Sequence, residues 1–116
     1  MRGFHWPSRL WHAETREHIK RTSTVTGVPV SVIVQSGTRR RTPEATIARY
    51  AVWHQVYYSS DVSKSFLARQ FACDHATVIN GIYRYSQIFH GIETDTVLAH
   101  AFHKFNHKAL LEAKHG

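Results

Sequence analysis

Several features are scarce in this sequence, and each scarcity excludes something. Cysteine occurs once, as Cys73, so neither an internal disulfide nor a zinc site built on thiolates can form. A single thiol suits a reducing compartment. No apolar run approaches the roughly 20 residues that span a bilayer, and the opening MRGFHWPSRLWH lacks the apolar core of a signal peptide. A cytoplasmic protein with no membrane partner is therefore expected. Glycine-rich runs ending in Lys-Ser or Lys-Thr are absent, so no phosphate-binding loop and no bound nucleotide are expected. Acidic residues number only 8 against 15 Lys and Arg, giving a formal charge of +7. That imbalance favours a polyanionic partner, nucleic acid first and an anionic membrane second.

Catalytic groupings are equally thin. No pair of carboxylates suggests a cleft, and Cys73 and His75 are too close on one turn to make a nucleophile–base pair. No enzyme activity and no cofactor are expected. No stretch of useful length alternates at period two. The valines of 25–34 are interrupted by Gly27 and Pro29, which argues against a strand there. With 42% hydrophobic residues and aromatics throughout, the chain can bury a modest core. An all-α bundle of five or six helices is expected, as one domain over 13–114 behind a basic, aromatic arm at 1–12.

Taken in order, Pro7 interrupts any helix in the arm, and Trp6 and Trp11 are read as core residues before partner-stacking ones. Residues 13–26 favour a weak helix, ended by Gly27 in a left-handed cap. Ser31 is expected to cap a short helix, Val32–Gln35. A polar, basic loop follows at 36–43. Thr42-Pro43-Glu44 is a strong helix start: a hydroxyl cap, a proline at the first position and an acid in the first turn. That helix is expected to run to about Tyr58. Ile47, Ala51, His54 or Gln55, and Tyr58 lie near one face, with Tyr50, Trp53 and Tyr57 supplying bulk. A last helix should open at Thr94-Asp95, with Leu98, Ala101, Phe102, Phe105 and Ala109 on its apolar side. His100, His103, Lys104, His107 and Lys108 lie opposite. His103 and His107 have the i, i+4 spacing of helical zinc ligands, but neither a His-Glu-x-x-His order nor a nearby cysteine accompanies them. A solvated face is the preferred reading; a histidine-rich basic face could instead add a pH-dependent charge.

The most informative stretch is 61–88, DVSKSFLARQFACDHATVINGIYRYSQI. Phe66, Leu67 and Phe71 recur at near-helical spacing. Val78, Ile82, Tyr85 and Phe89 form a second helical stripe. Ala72-Cys73-Asp74 between them leaves room only for a sharp turn, and Asp74 is a good N-cap. His75, Ala76, Thr77, Asn80, Tyr83 and Arg84 fall off the stripe. Small, polar and basic side chains on the leading turns of a second helix suit a major-groove reader. Asp74 can accept from a cytosine amino group, and His75 can donate to a guanine or thymine acceptor. Ala76 and the Thr77 methyl can meet a thymine methyl, and Asn80 can pair with adenine.

The run Phe71-x-x-Asp74-His75-x-Thr77-Val78-Ile79 resembles the signature of the C-terminal DNA-binding domain of the bacterial replication initiator DnaA. Upstream, Val25-Thr26-Gly27-Val28-Pro29-Val30-Ser31-Val32-Ile33 resembles the stretch joining that domain's first helices. Arg39-Arg40-Arg41-Thr42-Pro43-Glu44, followed by Arg49, resembles its basic loop. The likeness runs from about residue 13 to 106. It implies a Trp-repressor-like helix-turn-helix domain that binds double-stranded DNA, without the initiator's ATPase module. It further implies that Arg41 enters a minor groove, where negative potential attracts arginine. Arg39, Arg40, Arg49, Ser63, Lys64 and Arg84 become candidate phosphate contacts, which orient a protein on DNA and supply most of its salt-dependent affinity.

Four positions depart from the family. It usually has a basic residue at Cys73, threonine at Ala76, histidine at Asn80 and a basic residue at Tyr83. These lie on the reading surface, so the same docking onto a target other than the usual origin box is expected, in replication initiation or transcription regulation of a bacterium or phage. The competing reading is a protein-interaction module that keeps the helix-turn-helix scaffold and uses Trp6, Trp11 and Tyr83. The arginine run beside an intact Asp74-His75 turn weighs against it.

Overall fold

Thr42, Pro43 and Glu44 start the helix around which the others pack. The Thr42 hydroxyl accepts from the Ala45 N–H at 3.1 Å, satisfying one of the first-turn donors that have no partner inside the helix. The computed structural model describes residues 12–34, 42–92 and 96–104. In chain order the helices are α1 (Ala13–Thr26), α2 (Val30–Ile33), α3 (Pro43–Ser59), α4 (Lys64–Gln70), α5 (His75–Phe89) and α6 (Thr96–Lys104). No strand occurs among the described residues. The protein is an all-α bundle with α3 in the middle, touching α1, α2, α5 and α6.

That central place explains why no single apolar face of α3 stands out in the sequence. Ala45, Ile47, Ala48, Ala51, Val52, Trp53, Gln55 and Val56 are all buried, so the helix is enclosed on nearly every side. Tyr58, expected on the inward face, is instead 57% exposed. One core cluster joins Val52, Trp53 and Val56 of α3 to Ile19, Ile33, Leu67, Phe71, Val78 and Ile82. A second joins Ile47 and Ala51 to Tyr85, Ile88, Leu98, Ala101 and Phe102. In α5, Ile88 takes the buried place expected for Phe89, which is 39% exposed.

The short helix also differs from expectation. Pro29 stands at its N-cap with φ −60° and ψ 146°, and Val30 and Ile33 are its buried pair. Ser31 is thus inside the helix rather than capping it. Gly27 takes φ 79° as the left-handed cap of α1, the conformation for which glycine is best suited.

The α1–α3 contact is unusually polar. Thr15, His18, Thr22 and Gln55 are buried. Gln55 Nε2 donates to Thr22 Oγ1 and to the Ala51 carbonyl, each at 3.1 Å. His18 Nδ1 lies 3.2 Å from Gln55 Oε1, and its Nε2 3.1 Å from Ser59 Oγ.

α3 and α5 approach each other closely at Gly81. Trp53 packs edge-on against Phe71, with ring centroids 5.5 Å apart, and tilted against Tyr50 at 5.7 Å. Both rings reach the backbone of α5 at Gly81. A β-carbon there would lie 2.7 Å from Trp53 Cε3 and 2.8 Å from Tyr50 Cδ1. Gly81→Ala should therefore destabilise the fold by about 1–3 kcal/mol, the usual cost of over-packing, although alanine has the better helix propensity. Urea denaturation of the two proteins measures the difference.

At the other end of α3, Lys104 Nζ donates to Glu44 Oε2 at 2.9 Å, tying α6 to the start of α3. That bond, helped by a backbone hydrogen bond, holds the Glu44 carboxyl below its ordinary value. A depressed carboxyl stabilises the fold above its ordinary pKa, and the gain is lost as pH falls through the lowered one. Glu44→Gln should lower the melting temperature slightly at pH 7, and the gap from wild type should close under acid conditions.

Candidate nucleic-acid interface

Ser63 begins α4 as its N-cap, with its hydroxyl accepting from the Phe66 N–H at 3.0 Å. The helix closes where the Phe71 N–H donates to the Leu67 carbonyl at 3.0 Å and the Cys73 N–H to the Ala68 carbonyl at 2.9 Å. Ala72 adopts φ 52°, the left-handed conformation that reverses the chain in the fewest residues. Left-handed backbone costs a non-glycine residue about 1–2 kcal/mol, so the packing on both sides holds the turn in place. Phe71 is anchored against Trp53, and Val78 is fully buried.

Asp74 has N-cap backbone geometry, φ −76° and ψ 149°, yet its carboxylate makes no capping bond. Its carbonyl accepts from Thr77 and Val78 instead, at 3.0 and 3.3 Å. The capping role expected for this side chain is therefore unfilled. Asp74, His75, Ala76, Thr77 and Asn80 are all exposed. These five sequence-derived positions thus lie together on the first turns of α5. Ile79 and Tyr83 join them, 41% and 60% exposed. Ile79 was not anticipated as an outward residue; its place between exposed Ala76 and Tyr83 on the helical repeat is the signal that could have found it.

The basic candidates divide. Lys64 is half-buried, its Nζ 4.5 Å from the centre of the Tyr57 ring. Arg84 is half-buried on the flank of α5. Arg69, not singled out in the sequence, is exposed near the turn and lies over Phe66 at 5.5 Å. Ser63 borders a cleft of about 390 Å³ also lined by Glu14, Asp61 and Arg69; the two acids make its surroundings less favourable to phosphate. Arg39, Arg40 and Arg41 lie outside the described residues, as do Trp6, Trp11 and His107.

Arg49, a candidate phosphate contact, has an internal task. Its Nε donates to the Ile33 carbonyl at 3.0 Å and its Nη2 to the Val32 carbonyl at 3.2 Å. It thereby satisfies two carbonyls at the end of α2, just before the basic loop. Burial pushes the Cys73 thiol above its ordinary value; the Arg49 charge opposes that rise and the Asp74 charge adds to it.

Among the described residues, no group of three or more His, Cys, Asp or Glu is placed to hold a metal ion, and no helix is long and apolar enough to cross a membrane. No family model, no curated protein and no solved structure matches this chain.

Arg49→Met should destabilise the fold by about 1.5–3 kcal/mol, as expected for lost hydrogen bonds to a charged donor. Arg49→Lys should recover only part, because an ammonium cannot reproduce the fork that spans two carbonyls. Thermal denaturation of the three proteins tests both.

Proposed function

We propose that this chain binds double-stranded DNA with a sequence preference, laying the leading turns of α5 in the major groove. The observation that carries the reading is the condition of those turns. Asp74, His75, Ala76, Thr77 and Asn80 are exposed together, while Val78, Ile82 and Tyr85 fix the opposite face in the core. A rigidly backed helix with small and polar outward residues is suited to groove reading. Asp74 and His75 would meet base edges, and Ala76 and the Thr77 methyl would meet thymine.

The likeness to the DnaA DNA-binding domain supports Arg41 in an adjacent minor groove. Arg39, Arg40, Lys64 and Arg84 would contact phosphates, with Ser63 the weakest candidate because Glu14 and Asp61 line its cleft. Arg49 would act chiefly through the base of the loop, given its bonds to the α2 carbonyls. A net charge of +7 supplies the non-specific attraction that such docking needs. The role that fits is replication initiation or transcription regulation in the cytoplasm of a bacterium or of a phage-infected cell. The exposed Ile79 and Tyr83 also suit a protein-interaction scaffold, the competing reading.

Selection from a randomised duplex pool separates the two. A defined motif should emerge, and His75→Ala should blur it at one position by about 1–3 kcal/mol of discrimination. Arg41→Ala should weaken binding mainly at an A·T-rich flank. Weak, sequence-blind binding indifferent to His75→Ala would instead favour the scaffold.

A further inference from the structure

The outward centre of α5 has a chemistry of its own. Ala76, Ile79, Asn80 and Tyr83 share the face opposite buried Val78, Ile82 and Tyr85, as a repeat of 3.6 residues requires. None of the four is charged at neutral pH. Guanine presents two acceptors in the major groove and is best read by a forked or pointed cation; this line offers none. A carboxamide offers one donor and one acceptor, which match the N7 acceptor and N6 donor of adenine. Beside it stand two apolar groups. The Ala76 methyl lies one turn before Asn80, and Ile79 is 41% exposed although the other isoleucines of α5, Ile82 and Ile88, are 5% and 4% exposed. Thymine's C5 methyl is the apolar feature a major groove presents.

We propose, resting on the DNA-binding reading above, that α5 is built to read adenine–thymine steps. Asn80 pairs with the N6 and N7 of one adenine, and Ala76 and Ile79 cover thymine methyls on neighbouring pairs. Ala76 and Asn80 are four residues apart, roughly 6 Å along the helix axis, while base pairs rise by about 3.4 Å. The adenine and the first covered thymine therefore lie within about two steps of each other. Tyr83 stands further along the same face, its hydroxyl accepting from Gln87 Nε2 at 3.0 Å, which leaves its proton for a phosphate at the groove edge. Part of the sequence preference thus comes from an uncharged line, beside the base contacts of Asp74 and His75, and salt dependence from the surrounding cations.

The test uses the full chain and the duplex it selects from a randomised pool. The enriched motif should hold an adenine with a thymine within two steps. Replacing that adenine by 7-deazaadenine, which lacks N7, should weaken wild type about tenfold and leave Asn80→Ala nearly unaffected. Replacing each enriched thymine by uracil in turn should weaken wild type several-fold, and Ile79→Ala should be little affected at the one thymine that Ile79 covers. Asn80→Ala should level the four bases at its position while keeping the slope of affinity against salt; its circular dichroism confirms that the variant is folded. A selected motif with G·C at the Asn80-sensitive position, or wild-type binding indifferent to 7-deazaadenine, overturns the proposal and leaves DNA binding intact. No binding, or binding without any motif, overturns both.

Discussion

The approach of Trp53 to the backbone of α5 is the constraint on which the rest of the structure depends. An indole can lie this close to a helix only where that helix has no side chain, and Gly81 supplies the gap. The same indole meets Phe71 at the end of α4. One side chain of the central helix therefore positions both halves of the 61–88 motif. The indole N–H finds no hydrogen-bond partner among the described residues. An unpaired buried donor costs about 1–3 kcal/mol, so the stabilisation drawn from ring packing must exceed it.

The two long flanks of α3 solve different problems. Toward α5 and α6 the contact is apolar and aromatic, and Tyr85, pressed against Phe102 at 5.6 Å, is buried deeply enough that its phenol is pushed well above its ordinary range. Toward α1 the contact is a hydrogen-bonded seam through Gln55, Thr22, His18 and Ser59. Apolar packing tolerates small slides between helices, whereas a buried amide with defined partners does not. The seam sets the register of α1 on α3. α1 leads through Gly27 and Pro29 into α2, and Arg49 holds the end of α2. The end of α2 is thus located by a chain of contacts that starts at the polar seam.

Much of this architecture was legible in the residues. The start of α3, the left-handed Gly27 and the sharp turn before α5 all follow from local chemistry, because caps, prolines and glycines act over a few residues; the Asp74 carboxylate, which makes no capping bond, is the exception. Expectation and structure part where tertiary packing decides. α3 carries no readable stripe because it is enclosed on nearly all sides, so Tyr58 reads as inward although it is exposed. Ser31 lost its capping role because Pro29 starts the helix two residues earlier. Gln70 reads as a surface residue, yet it is buried and accepts from the His12 N–H. For the site, the exposed set on α5 could be listed from the helical repeat. The carbonyl-holding role of Arg49 could not, because it joins residues 16 and 17 positions apart that only the fold brings together.

The glycine–indole contact also bears on the entropy of association. Under the docking proposed above, a reading helix that rocked on its support would have to be immobilised on entering the groove, and that ordering would subtract from affinity. α5 is pinned to α3 through its backbone, so little of that loss falls on the main chain. What remains to be ordered is a handful of side chains: the imidazole of His75, the amide of Asn80, the ring of Tyr83. Each has only two rotatable bonds before its polar group, and Tyr83 is already restrained by Gln87. A surface with so few freedoms to surrender can discriminate with weak, uncharged contacts, because each contact is spent on recognition and little on holding the helix still.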